Sequence, residues 1–202
     1  MLRGVFPVIS TPFLPGGACD EASLSQLVGY AARAGAQGVV YPAIASEFAT
    51  LTLDERHRMF DVVLSSAKSQ GLKVIAGVSS NDAQVSAKLA RAAQADGADA
   101  LLLMAPKSAG ATSDELVRFF AKSLDGITAT PVILQNAPPP LGSALPVDAV
   151  LDVLSRVPNI RYVKEENLPC GQRITALIAG APSSVLGVMG GAGGRFSVDE
   201  YL

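Results

Sequence analysis

Short, nearly continuous apolar runs alternate along this chain with longer segments whose apolar residues recur every three or four positions. The runs are Gly4–Ser10, Gly38–Ser46, Lys73–Ser80, Ala100–Pro106, Pro131–Pro138, Ile160–Glu166 and Ser184–Gly190. Each is strand-sized, and they recur about every 30 residues, the length of one strand–helix unit. Their apolar content is continuous rather than alternating, as expected of parallel strands covered on both faces. Between them, Leu24, Leu27, Val28 and Ala31 fall at i, i+3, i+4 and i+7 and predict one apolar helical stripe. Thr52-Leu53-Asp54-Glu55 and Thr112-Ser113-Asp114-Glu115 are both capping boxes, in which threonine and glutamate satisfy free amides at a helix start. Asn81 is a suitable N-cap for the helix through Val85, Leu89 and Ala92. Gly35, Gly71 and Gly97 stand just past helix ends, where a left-handed residue is needed.

Seven such units without a break predict an α/β fold of the TIM (β/α)8 barrel type in preference to an open doubly wound sheet. Such barrels usually run to about 250 residues, and this chain ends inside its seventh predicted helix. The expectation is an incomplete barrel of about seven βα units, its eighth strand and C-terminal helices missing. Residues 1–202 would then form a single partial barrel domain. The alternative is a seven-stranded or open α/β sheet.

Composition narrows the classes of function. The chain has 202 residues, 49% of them hydrophobic and 17% charged, which suits one substantial core and excludes a disordered polymer. Its net charge is -2 with scattered basic residues, so neither nucleic acid nor a membrane surface is an expected partner. Its apolar runs are too short to span a bilayer, and its first residues lack the long apolar core of a signal peptide. A cytoplasmic location follows as the expectation. Cys19 and Cys170 lack metal-ligand spacing and read as small buried or loop residues in a reducing compartment. The single histidine, His57, has no partner histidine for a zinc site and no nucleophile elbow to serve.

Chemistry concentrates near the ends of three runs. In a barrel the active site lies at the carboxyl ends of the strands. That would gather Ser46-Glu47, Gln135-Asn136, Lys164 and Glu166 at one mouth. Desolvation disfavours the charged form of an amine, and a neutral amine condenses with ketones. Lys164 is therefore a candidate Schiff-base former. Lys164 and Glu166 would share a strand face, roughly 6–7 Å apart, with Glu165 pointing the other way. A solvated strand-end lysine or an ordinary ion pair is the plainer reading of the same residues. The stretch Gly187-Val188-Met189-Gly190-Gly191-Ala192-Gly193-Gly194-Arg195 invites a phosphate-binding reading. It lacks the Gly-Lys-Ser/Thr ending of a nucleotide loop, which leaves close backbone packing or contact with an anionic substrate group around Gly190.

Taken in order, these segments resemble the dihydrodipicolinate synthase/N-acetylneuraminate lyase family of Schiff-base barrel enzymes. Gly4-Val5-Phe6-Pro7 with Thr11-Pro12-Phe13 is similar to the family's opening strand, and Val74-Ile75-Ala76-Gly77-Val78 to its third. The segment from Ser46 to Arg56 resembles Gly-Glu-x-x-x-Leu-x-x-Glu-Glu-Arg. Gln135-Asn136-Ala137-Pro138 stands where Tyr-Asn-x-Pro is usual, and Val163-Lys164-Glu165 stands at the imine lysine's motif. Ile44-Ala45 replaces the family's Thr/Ser pair, Gln135 its tyrosine, and Pro140 the synthase's second-substrate arginine. Neither isoleucine nor a neutral amide can relay a proton. Ser46-Glu47, Gln135-Asn136-Ala137-Pro138 and Lys164-Glu165-Glu166 are more similar to the 2-keto-3-deoxy-L-arabonate dehydratase branch, though Asn136 stands for its aspartate and Ala45 for its phenylalanine.

The resemblance implies a class I lyase that dehydrates a 2-keto-3-deoxy sugar acid, with a small 2-keto acid as partner and no metal or organic cofactor. Lys164 and Glu166 would be catalytic, and Ser46, Glu47, Gln135, Asn136 and Gly190 would contact substrate. Two alternatives stand beside it: a pyruvate-dependent aldolase or synthase, and a non-catalytic fragment or degenerate binder of small acids. The resemblance further implies a homo-oligomer, commonly a tetramer.

Overall fold

Side-chain caps and chain-breaking residues cut the chain into alternating helices and strands. The computed structural model describes residues 1–106 and 112–201. In chain order the elements are α1 (Glu21–Arg33), β1 (Gly38–Tyr41), α2 (Leu53–Ser69), β2 (Lys73–Gly77), α3 (Ala83–Asp96), β3 (Ala100–Met104), α4 (Ser113–Ser123), β4 (Val132–Asn136), α5 (Val147–Arg156), β5 (Ile160–Glu165), α6 (Cys170–Gly180), β6 (Gly187–Met189) and α7 (Ser197–Tyr201). Both predicted capping boxes form. Thr52 Oγ1 accepts the Glu55 N–H at 3.2 Å while Glu55 Oε2 accepts the Thr52 N–H at 2.8 Å. Thr112 and Glu115 repeat the arrangement at 3.3 and 2.8 Å.

The described residues group into two compact units, Met1–Gly77 with Ala95–Ala100, and Val78–Gln94 with Leu101–Leu202. In the first, β1 and β2 pair in parallel from Gly38 opposite Lys73 to Tyr41 opposite Ala76. All four residues of β1 are buried, so its continuous apolar run is matched by cover on both faces. Leu24 and Val28 of α1 join Met59 and Val63 of α2 in the core, each fully buried. Leu27, expected in that stripe, is 38% exposed and lies off the buried face.

Two predicted strands of this unit are cut short at a proline. Gly4–Ser10 forms an isolated parallel bridge, Val8 to Val40, so six strands rather than seven are present among the described residues. The cause is local: Pro7 has no N–H to give a ladder, and Gly4 takes a left-handed φ of 97°. The run from Gly38 ends at Tyr41, because Pro42 again lacks a donor and the backbone turns into a short 3-10 segment, Ile44–Ser46. Gly77 permits that turn, since a methyl there would overlap the Pro42 carbonyl oxygen.

In the second unit β3, β4, β5 and β6 lie side by side in chain order, each neighbouring pair parallel. Leu101, Leu102 and Leu103 are at most 2% exposed, each contributing on the order of 1.5–3 kcal/mol by leaving water. Between β4 and β5 the register jumps: Val132 faces Ile160, but Ile133 faces Tyr162. One skipped residue exchanges the faces of a strand. The shifted register sets Gln135 opposite Lys164 and Asn136 opposite Glu165.

Candidate active site

The two faces of β5 do different work. Glu165 points toward α6 and is fully buried. Its Oε2 accepts from Arg173 Nη2 at 3.1 Å and from Asn136 Nδ2 at 2.9 Å. Its Oε1 accepts from the Asn167 N–H at 2.8 Å and from Asn167 Nδ2 at 2.7 Å. Asn136 is committed in the same way, since its Oδ1 accepts the Leu145 N–H at 2.9 Å and its Nδ2 also donates to the Leu145 carbonyl at 3.0 Å. The expected substrate contact by Asn136 therefore gives way to a buried polar brace that ties β4, β5 and α6 together. A carboxylate removed from water needs such partners.

The opposite face carries Lys164 and Glu166. Lys164 Nζ lies 3.2 Å from Glu166 Oε1, with side-chain exposures of 13% and 12%. The lysine is thus tucked into the protein, not extended into bulk solvent. Gln135 Nε2 donates to Glu166 Oε2 at 2.6 Å, and the Ala192 N–H donates to Glu166 Oε1 at 3.0 Å. Three donors from β4, β5 and the segment after β6 converge on one carboxylate. An amine, a carboxylate and an amide thus meet on one sheltered face, a set whose chemistry can include a nucleophile, a proton acceptor and a hydrogen-bonding group.

Ser46 and Glu47 belong to the first unit. The Ser46 hydroxyl donates to the Ile9 carbonyl at 2.6 Å and accepts the Ala43 N–H at 3.0 Å, with no exposure to solvent. Both its hydrogen-bonding directions are used inside the turn, so it holds the loop and not a ligand. Thr11 secures the same turn, donating to the Ser46 carbonyl at 2.6 Å and meeting Tyr41 Oη at 2.9 Å. Burial pushes the Tyr41 phenol up, with the Thr11 hydrogen bond opposing it. Glu47 is exposed and takes a left-handed φ of 56°. Gly190, expected against substrate, instead lies against α7: a methyl there would overlap the Glu200 carboxylate. Burial, followed by Asp199 and Glu166, pushes the Glu200 carboxyl up.

The sequence reading missed the Ala192 amide and the Glu165–Arg173 pair. Arg173 gave no signal, being eight residues on in a helix with no motif. The glycine-rich run did signal close packing, and its occupant turns out to be a protein carboxylate. As for metals, His57, Asp61 and Asp96 bring ligand atoms within 4.8 Å of one another, but His57 and Asp61 lie on the exposed surface of α2. No helix among the described residues is long and apolar enough to cross a membrane.

Known proteins resemble this chain in sequence and in fold. The family model described as the dihydrodipicolinate synthetase family matches residues 1–184. The chain is 36% identical over 165 residues to a 4-hydroxy-tetrahydrodipicolinate synthase of Alkalilimnicola ehrlichii, covering 82% of this chain and 56% of that protein. It thus spans just over half the length of that curated relative. Among solved structures, a dihydrodipicolinate synthase of Bacillus anthracis superposes with a TM-score of 0.85 at 27% identity, over 100% of this chain and 68% of the other. A sialic acid aldolase of Ruminococcus gnavus gives a TM-score of 0.83 at 21% identity, over 98% and 70%, a likeness of fold alone. The architecture is an α/β fold of the (β/α)8 barrel type, represented among the described residues by six strands and their helices.

Proposed function

The chain belongs to the dihydrodipicolinate synthetase family, and from that premise we propose that it is a Schiff-base lyase acting on 2-keto acids, dehydrating a 2-keto-3-deoxy sugar acid. The observation that carries this reading is the sheltered Lys164–Glu166 pair at 3.2 Å with Gln135 on the same carboxylate. The neutral Lys164 amine attacks the 2-keto carbon, and with one proton taken up from solvent the oxygen leaves as water and a protonated imine forms. The imine withdraws electrons from the C3–H bond, and Glu166 takes that proton. The resulting enamine expels the C4 hydroxyl, which departs as water with the proton returned by Glu166. The unsaturated imine then loses a proton at C5 and gains one at C3, which leaves a C4–C5 enol that becomes the aldehyde. A second water hydrolyses the imine, releases a proton and restores the Lys164 amine. The Gln135 carbonyl oxygen is suited to a substrate hydroxyl. Ser46 and Asn136 act as scaffold, each within its own unit.

Borohydride reduction tests the covalent step. A keto-acid-dependent mass increase on Lys164 is the expected result, and its absence in folded protein refutes the proposal. A second reading, retro-aldol cleavage or condensation through the same imine, is favoured by the synthase relatives. A product assay separates the two: release of pyruvate from a deoxy keto acid marks an aldolase, and a new semialdehyde without pyruvate marks the dehydratase.

A further inference from the structure

The glycine-rich segment after β6 has a specific contact that the imine chemistry leaves unexplained. Gly191 has φ of -153°, outside the left-handed region, so handedness does not require a glycine there. Space does: a methyl at Gly191 would sit 2.6 Å from Glu166 Cγ and 2.7 Å from its Cδ. Real carbon atoms do not approach so closely, so the side chain of Glu166 would have to move. The next residue, Ala192, holds φ of 49°, a conformation that few non-glycine residues adopt. In that conformation its N–H reaches Glu166 Oε1 at 3.0 Å. Gly193 and Gly194, at 68° and 74°, continue the left-handed path and complete the short turn. The segment is anchored to the reacting strand, because Met189 pairs in register with Lys164.

We propose that this segment is a positioning device for Glu166: Gly191 leaves the room the carboxylate occupies, and the Ala192 amide fixes its orientation toward the substrate carbon. The proposal rests on the reading of Lys164 and Glu166 as an imine-forming pair. Gly191 and Ala192 are positioning residues, acting through Glu166 and not on substrate. Their function is to set the proton-transfer geometry while leaving imine formation at Lys164 to itself. A displacement of about 1 Å in such a group costs on the order of 100-fold in rate.

The experiment reads the two steps separately in the intact protein. Imine formation is followed by the borohydride adduct on Lys164, and proton abstraction by exchange of the C3 hydrogen of a 2-keto acid into deuterium oxide. Gly191→Ala is expected to keep the adduct within about twofold while slowing C3 exchange at least about tenfold. In a Glu166→Asp background the side chain is one methylene shorter, and adding Gly191→Ala there is expected to cost less than about threefold. Unchanged exchange in Gly191→Ala overturns the proposal. So does a parallel fall in adduct and exchange, which would mean the segment supports the fold or Lys164 instead. An equal cost in both Glu166 backgrounds also overturns it. Failure of the unsubstituted protein to form any adduct removes the functional reading along with it, and is seen before any variant is made.

Discussion

At the scale of single residues, β5 ends on one acid, Glu165, and is followed by another, Glu166, and their neighbours assign them different duties. Glu166 is reached by Lys164, Gln135 and the Ala192 amide on a sheltered but open face. Glu165 is sealed behind the sheet with Arg173, Asn136 and Asn167. Substitutions should therefore separate cleanly. Glu166→Gln should leave the melting temperature near that of the parent and keep the Lys164 adduct, while lowering turnover by about 10²–10⁴, the usual share of a general base. Unimpaired turnover would remove Glu166 from the chemistry. Arg173→Ala should do the reverse. It strands a buried carboxylate, and breaking one partner of a buried pair costs about 3–5 kcal/mol. A urea unfolding curve measures that loss, and a change below about 1 kcal/mol would show that Asn136 and Asn167 suffice for Glu165. Sequence alone could separate the two acids because side chains alternate along a strand. It could not show who stood behind Glu165, since Arg173 comes from the next helix.

At the scale of elements, what was legible were the features that local chemistry decides. The capping boxes at Thr52 and Thr112 were readable because donor and acceptor lie three residues apart, and both form as expected. The fully buried strands were readable from their unbroken apolar runs. The strand at Gly4–Ser10 was over-read, because hydrophobicity does not register the missing N–H of Pro7. Ser46 was over-read for a related reason: a hydroxyl near a strand end looks available until the Ile9 carbonyl and Ala43 amide are found on it. The jump in pairing after Val132 left no trace in the sequence, yet it decides that Gln135 rather than Asn136 meets Glu166. The caps make a pH prediction. Hydrogen bonds from Thr52 and Thr112 hold the Glu55 and Glu115 carboxyls below the usual carboxylate range. A depressed acid contributes stability above its unfolded pKa, about 4.3, and loses it as pH falls through the folded value. Thr52→Ala removes an N-cap hydroxyl, a loss of about 1 kcal/mol near neutrality, and the part of its melting-temperature deficit that runs through the hydroxyl's bond to Glu55 should fade as pH drops below about 4. A deficit that stays constant with pH would mean that the hydroxyl acts without its glutamate.

At the scale of the whole molecule, two compact units divide the chain, and each contains one cysteine. Cys19 belongs to the first and is 7% exposed; Cys170 opens α6 in the second and is fully buried. Burial is the largest influence on both thiols and pushes each up from its ordinary value. Glu55 adds to this at Cys19, with Arg58 opposing it, and Glu200 adds to it at Cys170. The thiolate is the reactive form, so a raised pKa and a closed surface act together against modification. Each thiol then reports on the opening of its own unit, and opening energies differ across most structures. Single-cysteine variants, Cys19→Ser and Cys170→Ser, allow the two to be followed one at a time with a disulfide reagent. In native protein at neutral pH both thiols should react at least about 100-fold more slowly than in denaturant, as expected where reaction waits on opening. Rates should rise with pH, since more thiolate is then present whenever a thiol is exposed. Equal opening energies for Cys19 and Cys170 would mean that the units unfold as one cooperative body, and unequal energies would rank them. Rapid labelling of Cys170 in native protein would contradict the burial of α6 and, with it, the shelter behind Glu165 on which the placement of Lys164 depends.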